Sequence, residues 1–595
     1  MTANPQALTD RTPTYADAAI FRGKTMLLQL RRAVVDMTGS SVGRHAVGNH
    51  LENEQVIATS ATRLWTENEP QERFLVAGKI HNLRLAIKRL DRVEVPAGAI
   101  FSFWKQVGRA SRLKGFVAGR ELREGCIIPN IGGGLCQLSN ALYDGALQAN
   151  FEIVERHAHT QVIAGSLAEM GRDATVFWNY VDLRFRSRSR FRIEAKLGSD
   201  ELVVQFRGIQ DKRSAVDEGQ AIPMAAASNA RSCATCEVGD CHRVVDASKH
   251  AGFGRTAFLV DEYSPEFDAY IQANREPKDR LLVPLDGRRF RKANYAWTTA
   301  GFAAVRQSLA TTAKRSYTSR KLAQQGAARQ LNLLRMYEEL ADSYAARLTF
   351  DVTHVVVQQN LLPFLWKKGH LGGRTFDVLM SALPMHEIQK RLDKAFAIHP
   401  ESKTLGDFRA DPELIAIERD ALRAARRIIT PHTGIASLFP NRGVRIDWDL
   451  GAVGSVPPEV AGGFASRRER PGNPKPVVVF PASTVGRKGC YELREVLRGK
   501  NVKLICLGPM IESADFWDGF DMERGTPNWL EIADLVVLPA FVEHRPRRLL
   551  MSAAAGVPVI ASHDSGVNGV IGVVSIPAGE TEALREAVNN VLRLS

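Results

Sequence analysis

ADLVVLPAFVEHRPRRLLMSAAAGVPVIAS, residues 533–562, carries a complete strand–helix–strand pattern. Leu535–Leu538 and Val557–Ile560 are short apolar runs, as suits strands buried on both faces of a parallel sheet. Between them Arg547–Ala555 has helical spacing. The same rhythm extends outward, with Val477–Phe480, Val502–Leu507 and Val573–Ile576 as strands and Tyr491–Leu497 and Glu582–Leu594 as helices. Alternation of this kind implies right-handed βαβ units and a doubly wound α/β sheet. Gly462–Pro476 has the composition of a linker, and the half before it, with His354–Gln358 as a strand, is expected to form a partner lobe. A ligand binds in the cleft between two such lobes.

The chain has 595 residues, too many for one core, and its 45% hydrophobic and 24% charged content is that of a globular protein. No apolar run reaches the roughly 18 residues of a membrane helix, and the N-terminus has no basic-then-apolar signal pattern. The reading is cytoplasmic, with the basic helical region 300–346 able to touch the inner face of a membrane. The net charge of +14 raises nucleic acid as a partner, but no aromatic platform accompanies the basic residues, which argues against it. Within Leu183–Arg192 (LRFRSRSRFR) the arginines recur at a period of two, so a continuous strand would put them on one face. That face would bind anions or act as a charged edge that discourages strand pairing, and the second reading is preferred.

Residues 132–160 hold the chemistry of the first half. Gly132, Gly133 and Gly134 lead into Leu135-Cys136-Gln137, and Leu138, Leu142 and Ala146 then repeat every four residues, so a helix begins near Cys136. A thiol in the first helical turn feels the positive end of the dipole, which favours the thiolate. Flanking glycines allow backbone amides to approach an oxyanion. Downstream come Arg156, His157, His159 and Asp173, an order that suits nucleophile, base and orienting carboxylate. The competing reading is a structural or ligand-binding thiol. A second cluster, Cys233-x2-Cys236-x4-Cys241-His242, has compact metal-site spacing and would hold zinc or an iron–sulfur cluster.

Four motifs in order (FSFWKQVGRASRLKGFVAG, GGGLCQLSNALYDGAL, ERHAHT and GRDATVFW) make residues 79–208 resemble the VanW family. The resemblance favours His159 over His157 as the matching histidine, and it brings no settled activity with it. The last third resembles the nucleotide-sugar lobe of GT-B glycosyltransferases, retaining family 4 in particular, through Gly486-Arg487-Lys488-Gly489, Ala533–Pro539, Glu543 and Ala554–Ser562. That resemblance implies that Gly486, Arg487 and Lys488 meet the donor diphosphate and that Glu543 contacts the donor sugar. The second glutamate of the family's motif is replaced by Met551, and the usual glycine-rich step by His544-Arg545-Pro546.

The expected organisation is a polar segment (1–78), an α+β VanW-like domain (79–208), a linker with the cysteine cluster (209–250) and two lobes (251–473 and 474–595). The expected function is transfer of a sugar from a nucleotide-sugar to a glycan or cell-envelope precursor. The alternatives are acyl or amide chemistry at Cys136, His159 and Asp173 with the second half as a binding module, or a non-catalytic scaffold.

Overall fold

A computed structural model describes residues 15–38, 42–66, 70–123, 126–159, 166–209, 231–232, 253–321, 326–406, 409–449, 475–525 and 527–593. The cysteine cluster Cys233, Cys236, Cys241 and His242 and most of the 462–476 linker lie outside these residues. The chain divides into two compact units. The first comprises Met1–Thr256 with Leu348–His354 and Gly369–Thr375, and the second Ala257–Arg347, Val355–Lys368 and Phe376–Ser595.

In the first unit α1 (Tyr15–Thr38) is followed by β1 (Val56–Arg63), α2 (Pro70–Ile87), β2 (Val93–Val95), β3 (Ile100–Ser102) and α3 (Phe103–Val107). Next come β4 (Ala118–Arg123), β5 (Cys126–Ile131), α4 (Leu135–Gln148), β6 (Glu152–Glu155), β7 (Arg184–Arg186), β8 (Phe191–Leu197), β9 (Glu201–Gly208) and β10 (Arg231–Ser232). The largest sheet has the order β1-β9-β8-β2, with antiparallel neighbours, and two three-stranded sheets (β10-β5-β4 and β3-β7-β6) flank it. Leu202, Val204 and Phe206 alternate inward along β9, and α4 packs across β1 and β9 over them. Phe151, Phe185, Phe191 and Phe206 meet there with ring centroids 4.5–6.1 Å apart. Residues 1–78, read from sequence as a polar segment, thus supply one strand of this sheet.

The arginine run does not form one face. β7 and β8 belong to different sheets, and the chain bends between them at Ser187–Arg190. Three of its members are instead paired with acids. Arg184 Nε lies 2.9 Å from Asp182, Arg186 makes two bonds to Glu152 at 2.7 and 2.8 Å, and the buried Arg192 sits 3.3 Å from Glu194.

The second unit contains two parallel-type sheets. One joins β11 (Arg255–Leu259), β12 (Arg280–Val283), β13 (Ala304–Gln307), β14 (Val352–Gln358), β15 (Thr375–Leu379), β16 (Arg427–Thr430) and β17 (Gly443–Arg445) in the order 13-12-11-14-15-16-17. The other joins β18 (Val477–Phe480), β19 (Lys503–Cys506), β20 (Met522–Arg524), β21 (Leu535–Leu538), β22 (Val559–Ser562) and β23 (Val573–Ile576) in the order 20-19-18-21-22-23, every neighbour parallel. Both orders reverse direction beside their first strand, which creates a crevice at the carboxyl ends of β11 and β14 and of β18 and β21. The central strands are buried along their whole length, as their unbroken Val, Ile and Leu content requires. The fold is therefore mixed α/β, an α+β domain followed by two Rossmann-like lobes. Among the described residues no helix is long and apolar enough to cross a membrane.

Candidate functional site

Cys136 is the second residue of α4, and Ser139 and Asn140 lie on the same helix face one turn on. Ser139 Oγ donates to Ala174 O at 2.5 Å, and Asn140 Oδ1 accepts from Ala174 N at 2.8 Å, so the helix holds residues 173–176 beside the thiol. Asp173, 3% exposed, accepts from the His159 ring at 2.7 Å (Nδ1 to Oδ1) and from the His159 amide at 2.5 Å. The other ring nitrogen of His159, Nε2, faces the Thr175 hydroxyl at 2.9 Å, and that hydroxyl is 3.7 Å from Cys136 Sγ. Burial would lower the pKa of His159, but hydrogen bonds and charge from Asp173 and Cys136 outweigh it and hold the imidazole up at about 10. Thiol, imidazole and carboxylate thus stand in line, with the histidine as imidazolium at neutral pH.

The remaining motif residues build the frame. Arg156 Nε donates to the Asp173 carbonyl at 2.6 Å while its guanidinium lies over the Tyr143 ring. Gln137 turns away, donating to Thr62 Oγ1 and Arg63 O at 2.9 and 2.8 Å. His157 is exposed and faces Glu155, outside the triad. Gly132 and Gly134 have φ of 81° and 94°, and a Cβ on Gly133 would stand 2.4 Å from Gly119 O, so only glycines bring the turn before α4 this close to β4. These elements enclose a cavity of about 840 Å³ whose wall includes Cys136, His159, Trp104, Trp178 and, from α1, Phe21 and Gln29. Thr175 was not singled out in the sequence although it sits inside GRDATVFW. A hydroxyl's role is set by what it faces, not by spacing.

In the second unit, Gly486–Lys488 form one 3-10 turn after β18, next to the segment that follows β21. Lys488 Nζ is 2.8 Å from Glu543 Oε2, and the other carboxylate oxygen accepts from the His544 and Arg545 amides at 2.8 Å each. Burial opposes ionisation of Glu543, and Lys488 with these amides overcomes it and lowers its pKa. Gly486 N donates to Thr404 Oγ1 at 3.0 Å and Glu512 Oε1 at 2.7 Å, while Arg487 contributes its carbonyl to the amides of Phe541 and Val542. The fully buried His432 places Nε2 3.3 Å from the Glu543 carbonyl. Across the cleft, at the carboxyl end of β11, Asp261 is fully buried against Arg315 and Asn360. Arg545 pairs with Glu262, and Arg547 with Glu266 at 2.7 Å, linking the lobes where small residues were expected. Met551, 39% exposed, leaves the helix Arg547–Ala554 without a carboxylate at that position.

Residues 78–207 match the family model described as VanW like protein. Over 108 residues the chain is 35% identical to the protein YoaR of Bacillus subtilis, covering 18% of this chain and 35% of the relative. Over 147 residues it is 28% identical to the vancomycin B-type resistance protein VanW of Enterococcus faecalis, covering 24% and 54% respectively. The chain therefore spans about a third to a half of the curated relatives it matches. The triad lies within this VanW-like domain. Among solved structures, sucrose-phosphate synthase from Thermosynechococcus elongatus aligns over 57% of this chain and 90% of its own, at 12% identity and a TM-score of 0.37.

Proposed function

We propose that the VanW-like domain performs cysteine-dependent acyl or amide chemistry. The observation that supports this is the Cys136–His159–Asp173 line opening on one cavity. The thiolate attacks the substrate's carbonyl carbon, forming a C–S bond and an oxyanion. The amides of Leu135 and Cys136, which open α4 and have no preceding helical carbonyl to bond, face the developing charge. Collapse breaks the C–N or C–O bond, and His159 passes its proton to the leaving amine or alkoxide. Water or an amine then attacks the thioester while His159 takes the incoming proton, and the thiolate is released. Asp173 keeps the ring oriented and steadies its charge.

The test is an activated aryl ester mixed with the full chain. A gain of one acyl group on Cys136, seen by intact-mass and peptide analysis and lost in Cys136→Ala, is the expected result. Acylation that persists in Cys136→Ala would end this reading.

Sugar transfer in the second unit is a further reading, favoured by Lys488 and Glu543 at the sheet's switch point. Lys488 and Arg487 would neutralise the diphosphate of a nucleotide-sugar, Glu543 would contact the sugar, and a glycan or cell-envelope precursor would accept it, with retention of configuration. A bound donor stabilises the fold by mass action, about 2.7 kcal/mol at a hundred times its Kd. Screening nucleoside diphosphates and their sugars by thermal shift is expected to raise Tm with one of them, and Lys488→Ala to abolish the rise. An unchanged Tm across the whole panel would count against a working donor site.

A further inference from the structure

The wall around Cys136 is strongly cationic. Among the described lining residues are six lysines and arginines but one carboxylate, Glu121, and its two oxygens are already bonded to Arg123 and Asn130. Most of the cations are also committed. Lys79 donates to Leu64 O at 2.9 Å, Arg63 lies 3.7 Å from Asp200, and Arg120 lies 3.5 Å from Glu72. Arg22 and Arg109 differ: among the described residues neither makes a hydrogen bond, an ion pair or a ring contact, and both are exposed at the cavity. They come from separate elements, Arg22 from α1 and Arg109 from the loop after α3. The rest of the wall mixes uncharged polar side chains such as Gln137 and Asn140 with apolar and aromatic ones, Trp104 and Trp178 lying edge to face at 5.4 Å.

A neutral substrate would leave this excess positive charge with nothing to do, whereas a carboxylate would gain charge-assisted bonds from either guanidinium. We infer that the acyl compound taken by this cavity carries a free carboxylate, seated by Arg109 and Arg22 while its reacting carbonyl lies over Cys136. The inference rests on the reading of Cys136 as a nucleophile. It adds the charge of the substrate, and makes the two arginines determinants of specificity.

Two alkylating agents of similar size separate the possibilities, because iodoacetate is an anion and iodoacetamide is neutral. In each the thiolate attacks the methylene carbon, forming one S–C bond as the C–I bond breaks and iodide leaves. Rates at Cys136 would be measured on the full chain at pH 7, and again on the chain unfolded in urea. The ratio of iodoacetate to iodoacetamide rates is expected to be at least about 10-fold higher in the folded protein, a difference of one charge-assisted contact. Changing both Arg22 and Arg109 to glutamine should return the ratio to the unfolded value. Raising the salt to about 1 M, where the Debye length is near 3 Å, should act the same way on the unaltered chain. Fast labelling with the same ratio folded and unfolded would overturn the anionic substrate and leave the nucleophile standing. Labelling no faster folded than unfolded with either reagent would remove both.

Discussion

Replacing His159 with glutamine is expected to slow iodoacetamide labelling of Cys136 at pH 7 by about 100-fold, the lower range for a positioned acid–base partner. In the native chain Asp173 and the thiol keep the imidazole charged up to about pH 10, so a positive charge stands beside the sulfur across the whole neutral range. Glutamine fills similar space and keeps a polar end but carries no charge. The protein contains its own references. Burial pushes Cys506 up to about 12 and Cys490 well above its usual range, and neither should label appreciably in the time Cys136 takes. Asp173→Asn should fall on the same side as His159→Gln, because the amide cannot stabilise the imidazolium. Peptide mass analysis of a labelling time course decides the matter. A Cys136 rate unaltered by His159→Gln would show that the histidine does not activate the thiol.

The second large effect concerns the lobe interior. Arg315 Nη1 lies 2.5 Å from Asp261 Oδ1, and the Asp261 side chain is completely enclosed, with Asn360 on its other oxygen at 2.7 Å. Burial would lower the Arg315 guanidinium, and the Asp261 charge holds it up. Arg315→Met leaves that carboxylate without its cation in a dry site, which should destabilise the second unit by about 3–5 kcal/mol. Removing both charges, as Arg315→Met with Asp261→Asn, should recover more than half of the loss, since the penalty belongs to the unpaired charge. Urea unfolding of the three proteins measures it. A double variant as unstable as the single one would assign the cost to lost packing instead.

The parts read from sequence and the parts missed differ in physical kind. Strands β18, β21 and β22 were legible because both faces are covered, so each is a run of apolar residues whatever its neighbours are. Cys136, His159 and Asp173 were legible from motif order, and the structure brings them together. Thr175 and the Lys488–Glu543 pair were not, because contacts between residues 16 and 55 positions apart leave no periodic trace. LRFRSRSRFR was misleading for a related reason. Its period of two continues through a bend, and alternation alone cannot tell one strand from two. The paired acids Glu152, Asp182 and Glu194 lie on either side of the run and on another strand. In β1, alternating Ala58 and Ser60 face inward among small polar residues, too weak a contrast to read as a strand.

That strand also sets a timetable. β1 is complete at Arg63, yet its register runs Val56 against Arg207 to Arg63 against Glu201. On a ribosome adding about 5–20 residues per second, it waits roughly 7–30 s for the last of its partner to be made. Throughout that interval an eight-residue segment with open backbone groups is held out of its sheet. The nascent chain is therefore most exposed to wrong pairing before residue 208, and a chaperone acting on it would have its work finished there.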